Sequence, residues 1–170
     1  MKQSRPVLIA ALLLCTAACA RSQHDSRENL SVLGTFVAST PCSQGTKPLP
    51  GIPANADCEL MKWKLVLYQH KEKKTPATYQ LHCWYGLPRQ GTTGLARGGT
   101  TIELEGKWTV LKGTASKPHA VIYQLHDSKT NRAISFLKLG NDLLHLLDAD
   151  LQLMTGSAAW SYTLNRTENK

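Results

Sequence analysis

From Leu33 onward, apolar and polar residues alternate in short runs, the period of half-buried strands. The clearest run is KWKLVLYQ at 62–69: Trp63, Leu65 and Leu67 fall on one face and Lys64, Val66 and Tyr68 on the other. A lysine-rich turn and then PATYQLHCWYG follow, so residues 62–84 are predicted to form a hairpin. LGTFVAS, 33–39, reads as a short strand ahead of it. Residues 86–100, GLPRQGTTGLARGGT, hold five glycines and a proline and read as a long, mobile loop. TTIELEGKWTVLKG reads as two short strands, or one bent at Gly106. PHAVIYQLHD and RAISFLKL are each of strand length. NDLLHLLDADLQLM holds a leucine-rich strand, a turn near Asp148–Asp150 and a short continuation, and SAAWSYTLNR closes the pattern.

The fold class expected is therefore all-β. About eight short antiparallel strands with tight turns favour a small closed barrel, because closure removes the exposed edges. No solenoid-length repeat is visible.

The first residues carry a different pattern. Lys2 and Arg5 precede an apolar run, Val7–Leu14, of signal-peptide length and too short to span a bilayer. Thr16-Ala17-Ala18-Cys19 resembles a bacterial lipobox, in which small residues fit the narrow cleft of the peptidase. Cys19 is the expected lipidation site, and Cys15, behind the bulky Leu14, is the poorer candidate. Residues 1–18 are read as the signal peptide and 19–31 as a polar, aperiodic tether. The expected location is the bacterial cell envelope, anchored to the membrane through lipid. Ala20 after the cysteine favours the outer membrane.

About 150 residues then remain, enough for one domain with one core. Lys2 and Arg5 leave with the signal, so the formal charge of +8 falls to +6. Lys71, Lys73 and Lys74 cluster at a hairpin tip, the pattern of a solvated, lysine-guarded edge. Basic and aromatic residues are not interleaved as a nucleic-acid site requires, so no nucleic-acid partner is expected. A mild attraction to acidic envelope glycans or lipid headgroups fits the charge.

Several segments taken in order carry a family resemblance: GTFVASTPC, ADCELMKWKLVLY, GKWTVLKG, LLHLLDADLQLMTG and WSYTLNR. Together they resemble the N-terminal domain of the NlpE-like copper homeostasis and resistance lipoproteins. The resemblance implies a lipocalin-like β-barrel over residues 32–167 and a non-enzymatic role in copper tolerance and envelope-stress homeostasis. Where that family carries a Cys-x-x-Cys proposed as a copper site, fifteen residues separate Cys42 from Cys58 here. The second, OB-like domain of longer members has no counterpart in this sequence, so the expectation is of the barrel domain alone.

Three cysteines remain after lipidation: Cys42, Cys58 and Cys83. Export places them in an oxidising compartment. A Cys42–Cys58 bridge would staple a loop holding three prolines and two glycines. A Cys58–Cys83 bridge is the rival, although a turn near Glu72 places Cys83 closer to Met61 or Lys62; a third reading has no bridge. The same three sulfurs, if reduced and convergent, are the candidate Cu(I) ligands; no other cofactor is expected. His82 should face away from Cys83, His119 and His126 are read at opposite ends of one strand, and His145 is read as a satisfied barrel histidine. Asp148 and Asp150 fit turn residues better than a catalytic carboxylate pair. Trp63, Trp84, Trp108 and Trp160 are read as barrel core and closure. Two further roles stay open: a carrier of a small apolar ligand, and a domain that binds an envelope partner, indicated by exposure of Leu87 and Leu95.

Overall fold

The computed structural model describes residues 29–43, 48–49, 51–113, 118–130 and 132–167. The expectations for the signal peptide, for Cys19 and for most of the tether lie outside these residues. Eight strands follow in chain order: β1 (Leu30–Pro41), β2 (Leu60–His70), β3 (Pro76–Gly86), β4 (Thr100–Lys112), β5 (Val121–Asp127), β6 (Ala133–Leu139), β7 (Leu143–Leu146) and β8 (Thr163–Thr167). Each pairs antiparallel with the next and β8 returns to β1, which closes the barrel. The structure thus has the expected fold, a small lipocalin-like antiparallel barrel of eight strands. A 3-10 turn, Ala96–Gly98, lies within the β3–β4 loop.

Alternation fixes which residues fill the barrel. Trp63, Leu65 and Leu67 of β2 point inward with Phe36, Tyr79, Leu81, Cys83, Leu125, Phe136 and Leu164, and all belong to one core cluster. Eight strands enclose a space that side chains can fill. Trp63 meets Phe136 edge-on, with ring centroids 6.3 Å apart, and Trp108 lies 4.8 Å from Tyr123. Each inward tryptophan also has its indole N–H satisfied. Trp63 donates to the Thr40 hydroxyl at 2.8 Å and Trp108 to the Tyr68 carbonyl at 2.7 Å. The Tyr68 carbonyl sits where the β2–β3 register slips between Leu67 and Gln69. A bulge takes a residue out of the ladder, and here the indole supplies its carbonyl with a partner.

A second, smaller cluster lies outside the wall. Ile122 and Leu137 occupy the outward positions of β5 and β6, and Leu147 and Leu151 of the β7–β8 connection cover them.

Several local expectations are corrected. β4 is one continuous strand of 13 residues across Gly106. The glycine is there because the chain leaving β5 passes so close that a Cβ would lie 2.0 Å from the His126 carbonyl oxygen. β1 begins at Leu30, so Leu30 and Ser31 belong to the barrel and not the tether; their partners are His70 and Gln69. β5 begins at Val121, which leaves His119 in the preceding turn. Trp84 lies on the outer face, stacked on His82 at 4.4 Å, and Trp160 is exposed, so only Trp63 and Trp108 of the four serve the core.

The Gly106 contact is with backbone, which cannot swing aside. Gly106→Ala is expected to destabilise the barrel by about 2–4 kcal/mol, the range of overpacked or strained sites. Urea unfolding followed by tryptophan fluorescence would measure it.

Candidate functional site

The barrel has two unlike ends. At the foot β1 begins, and there lie the 71–75 turn, the 113–120 connection and the 140–142 turn. At the rim lie the short 128–132 turn and the three longest connections, 42–59, 87–99 and 147–162. Four of the residues singled out for chemistry, Cys42, Cys58, Asp148 and Asp150, sit in or beside those rim segments.

Cys42 and Cys58 form a disulfide, with Cα atoms 5.2 Å apart. The backbone anchors the same junction: Cys42 N–H donates to the Glu59 carbonyl at 3.0 Å, and Glu59 N–H to the Gly86 carbonyl at 3.1 Å. Between the two sulfurs, Leu49 and Ile52 are buried in the barrel's core cluster. The segment therefore acts as a plug over the rim. Pro48, Gly51 and Pro53 suit a path outside the sheet, the disulfide holds both its ends, and two aliphatic side chains seat it.

Cys83 is the free cysteine among the described residues and is fully buried in β3. Its register partner is Trp63, one residue beyond the expected Lys62, and this excludes the Cys58–Cys83 bridge. Burial pushes its thiol pKa well above the ordinary value. A metal site built on Cys42, Cys58 and Cys83 needs thiolates. Two of those sulfurs are bonded to each other and the third is held neutral, so the donor set as it stands does not fit Cu(I). Among the described residues no cluster of three or more His, Cys, Asp or Glu could hold a metal.

Three histidines have partners elsewhere. His82 faces outward, away from Cys83 as expected, and lies 3.1 Å from Glu103. His145 sits between the Thr163 hydroxyl and the Met154 carbonyl, each at 2.9 Å. His126 lies 3.2 Å from the Thr109 hydroxyl. Asp148 is a turn residue: its Oδ1 accepts from the backbone N–H of Asp150 at 2.9 Å and of Gln152 at 2.8 Å. Comparisons with protein families, with curated proteins and with solved structures find no match to this chain.

Two buried polar atoms were not legible in the sequence. The Tyr79 hydroxyl and Asp127 Oδ1 both lack a protein hydrogen-bond partner. They flank one position of the sheet, since Tyr79 and Asp127 are both register partners of Gly106. Asp127 Oδ2 is engaged, accepting from the N–H and hydroxyl of Thr130, which closes the β5–β6 turn. The Thr130 hydroxyl holds the Asp127 carboxyl below its usual pKa, against the opposing effect of burial. Tyr79 is pushed up to about 12, first by burial and then by the negative charges of Asp127 and Glu105.

Leu87 and Leu95 divide. Leu87 is 41% exposed, whereas Leu95 is 8% exposed and pairs through a β-bridge with Pro88. The 86–100 segment is thus a folded loop with one exposed leucine at its base.

Two predictions follow from this geometry. Reducing the Cys42–Cys58 bridge should cost about 3 kcal/mol, the chain-entropy value for a loop of this length, as read from melting with and without reductant. In the same samples Cys83 should resist iodoacetamide until the barrel unfolds. The second concerns alkaline pH. A tyrosine whose folded pKa is raised stabilises the fold fully below its unfolded pKa, near 10, and that stability is lost as pH rises towards about 12. Tyr79→Phe should therefore flatten the fall in stability above that pH. At neutral pH it should be close to neutral, because it removes a buried hydroxyl that has no protein partner.

Proposed function

We propose that this chain is a lipid-anchored, non-enzymatic protein of the bacterial cell envelope, of the NlpE-like class, serving copper and envelope-stress homeostasis. The observation that carries the reading is the stapled rim. A disulfide between Cys42 and Cys58 is at home in an exported protein. It accompanies an N-terminus with a basic start, an apolar run and the lipobox-like Thr16–Cys19. The eight-stranded barrel is the architecture that the resemblance implies.

The sulfur chemistry limits the copper part of this reading. A resident Cu(I) does not fit the oxidised pair, so copper would meet these sulfurs only after reduction. The role assigned here is that of a folded envelope domain whose stapled rim reports on, or tolerates, stress through its surface.

The carrier reading has less support. Tyr79, Tyr162, Phe136, Met61 and four inward leucines of β2 and β7 are fully buried in the barrel, where an apolar ligand would have to lie. The partner-binding reading keeps Leu87 and Trp160, both exposed at the rim.

The test is lipidation and copper tolerance measured in one strain. Full-length protein should incorporate labelled palmitate and stay with membranes washed in molar salt, and Cys19→Ala should abolish both. Loss of the gene should lower survival in copper, with restoration by the wild type. Palmitate label or salt-resistant membrane partition retained in Cys19→Ala would sink the anchor. Unchanged copper survival would sink the homeostasis role, and lipid co-purifying with the folded barrel would favour the carrier.

A further inference from the structure

The two ends of the barrel differ in charge as well as in shape. Around the foot stand Lys71, Lys73, Lys74, Lys112, Lys138 and Arg166, with Glu72 and Asp142 as the acidic residues described there. Around the rim the described basic residues are Lys62, Arg89, Arg97, Lys129 and Arg132, offset by Asp57, Glu59, Asp127, Asp148 and Asp150. The positive charge of the described barrel is therefore concentrated at one end.

Of the exposed large apolar side chains among the described residues, Val32 and four others stand at that same end, against Leu87, Leu153 and Trp160 at the rim. Val121 opens β5, Val110 stands two residues from the end of β4, and Leu139 faces Leu143 across the β6–β7 turn. All four are exposed. A foot that is both basic and apolar matches a surface whose outer layer is anionic and whose interior is hydrocarbon.

The direction of the chain agrees. Leu30 begins β1 at the foot, and the residues preceding it in the sequence include the apolar run Val7–Leu14 and Cys19. We infer that the foot of the barrel is a docking surface for an anionic lipid bilayer. Lysines of the 71–75 tip and Lys112 meet headgroup phosphates, while Val110, Val121, Leu139 and Leu143 settle at the edge of the acyl layer. The rim, with its disulfide plug, then points away from the membrane.

This goes beyond the anchoring reading and does not need it, since the contacts lie in the barrel itself. The test uses the chain from Ala20 to Lys170 without its lipid. Every strand and the core that joins them lie between Leu30 and Thr167, so this chain folds unlipidated. Sedimentation with vesicles of equal parts phosphatidylglycerol and phosphatidylcholine should show binding, and pure phosphatidylcholine should show little. Binding should collapse in molar salt, where the screening length shrinks to about 3 Å.

The exposed triple variant Lys73→Gln, Lys74→Gln, Lys112→Gln should keep its fold and lose about a hundredfold in partition, at about fivefold for each basic residue. A rim variant with the same loss of charge, Arg89→Gln, Lys129→Gln, Arg132→Gln, should bind as the wild type does. Equal losses in both variants would overturn the inference, because the attraction would then belong to net charge and not to the foot. Binding to polyphosphate with none to the anionic vesicles would overturn it too, by assigning the foot to a soluble polyanion. Should the foot variant fail to fold, the rim variant decides: binding as in the wild type upholds the inference, and a loss of about a hundredfold overturns it. Failure of vesicle binding would leave palmitate labelling at Cys19 untouched, so the two readings fail separately.

Discussion

The barrel depends on one closure, the seam between β8 and β1. Only three register pairs join these strands, Thr35 with Thr167, Phe36 with Arg166 and Val37 with Asn165. β1 and β2 by contrast pair from Leu30–His70 to Pro41–Leu60, with one slip between Val32 and Gly34. So short a ladder needs help from side chains, and Arg166 provides it. Its guanidinium donates to the Leu33 carbonyl of β1 and, at 3.4 Å, to the Asn141 carbonyl in the β6–β7 turn. The Thr167 hydroxyl adds a bond to the Thr35 carbonyl at 3.2 Å. Leu33 is available because the β1–β2 register slips between Val32 and Gly34. One bulge thus frees a carbonyl that an arginine from the last strand uses to shut the barrel, as the other frees the Tyr68 carbonyl for Trp108. Both departures from regular pairing sit near the foot, and both are satisfied by residues far away in sequence.

Closure dictates what the interior can be. Inward positions from all eight strands meet around Trp63 and Phe136, and the plug carrying Leu49 and Ile52 covers the rim. Any polar atom drawn inside must find a partner or carry a cost. Thr40 and the two indoles find theirs. Asp127 does so only through Oδ2 and the Tyr79 hydroxyl not at all, and both flank Gly106, over which the chain passes closely. The tight crossing at Gly106 and the imperfectly paired atoms beside it are two aspects of one local constraint.

The hairpin at 62–84 was legible because its alternation is strict and its inward face is large: a slip by one residue would turn Trp63, Leu65 and Leu67 to water. The Cys42–Cys58 staple was legible from the proline-rich composition between the sulfurs. The continuity of β4 was not. Gly106 reads as a breaker in one dimension, whereas in three dimensions it is the price of a neighbour's approach. Trp84 and Trp160 misled for a related reason, since bulk alone does not tell which face of a strand a residue occupies. Trp84 follows the inward Cys83 and so must face out, where His82 stacks on it from the adjacent position. The seam was invisible, because nothing near Arg166 in the sequence announces Leu33.

The fate of the three sulfurs shows what the fold leaves available for function. Cys42 and Cys58 are spent on the rim, where their bond seats the plug. Cys83 is placed by alternation on the inward face of β3, and burial there keeps it a thiol. A buried thiol whose ionisation is disfavoured is a poor ligand and a poor nucleophile while the wall stays closed. Chemistry at these three sulfurs therefore requires a prior event, reduction of the bridge or opening of the wall, and each is coupled to loss of stability. While the barrel is oxidised and closed, what it presents to its surroundings is surface: a plugged, charge-balanced rim at one end and a basic, partly apolar foot at the other. Function read from this structure has to begin at those two ends.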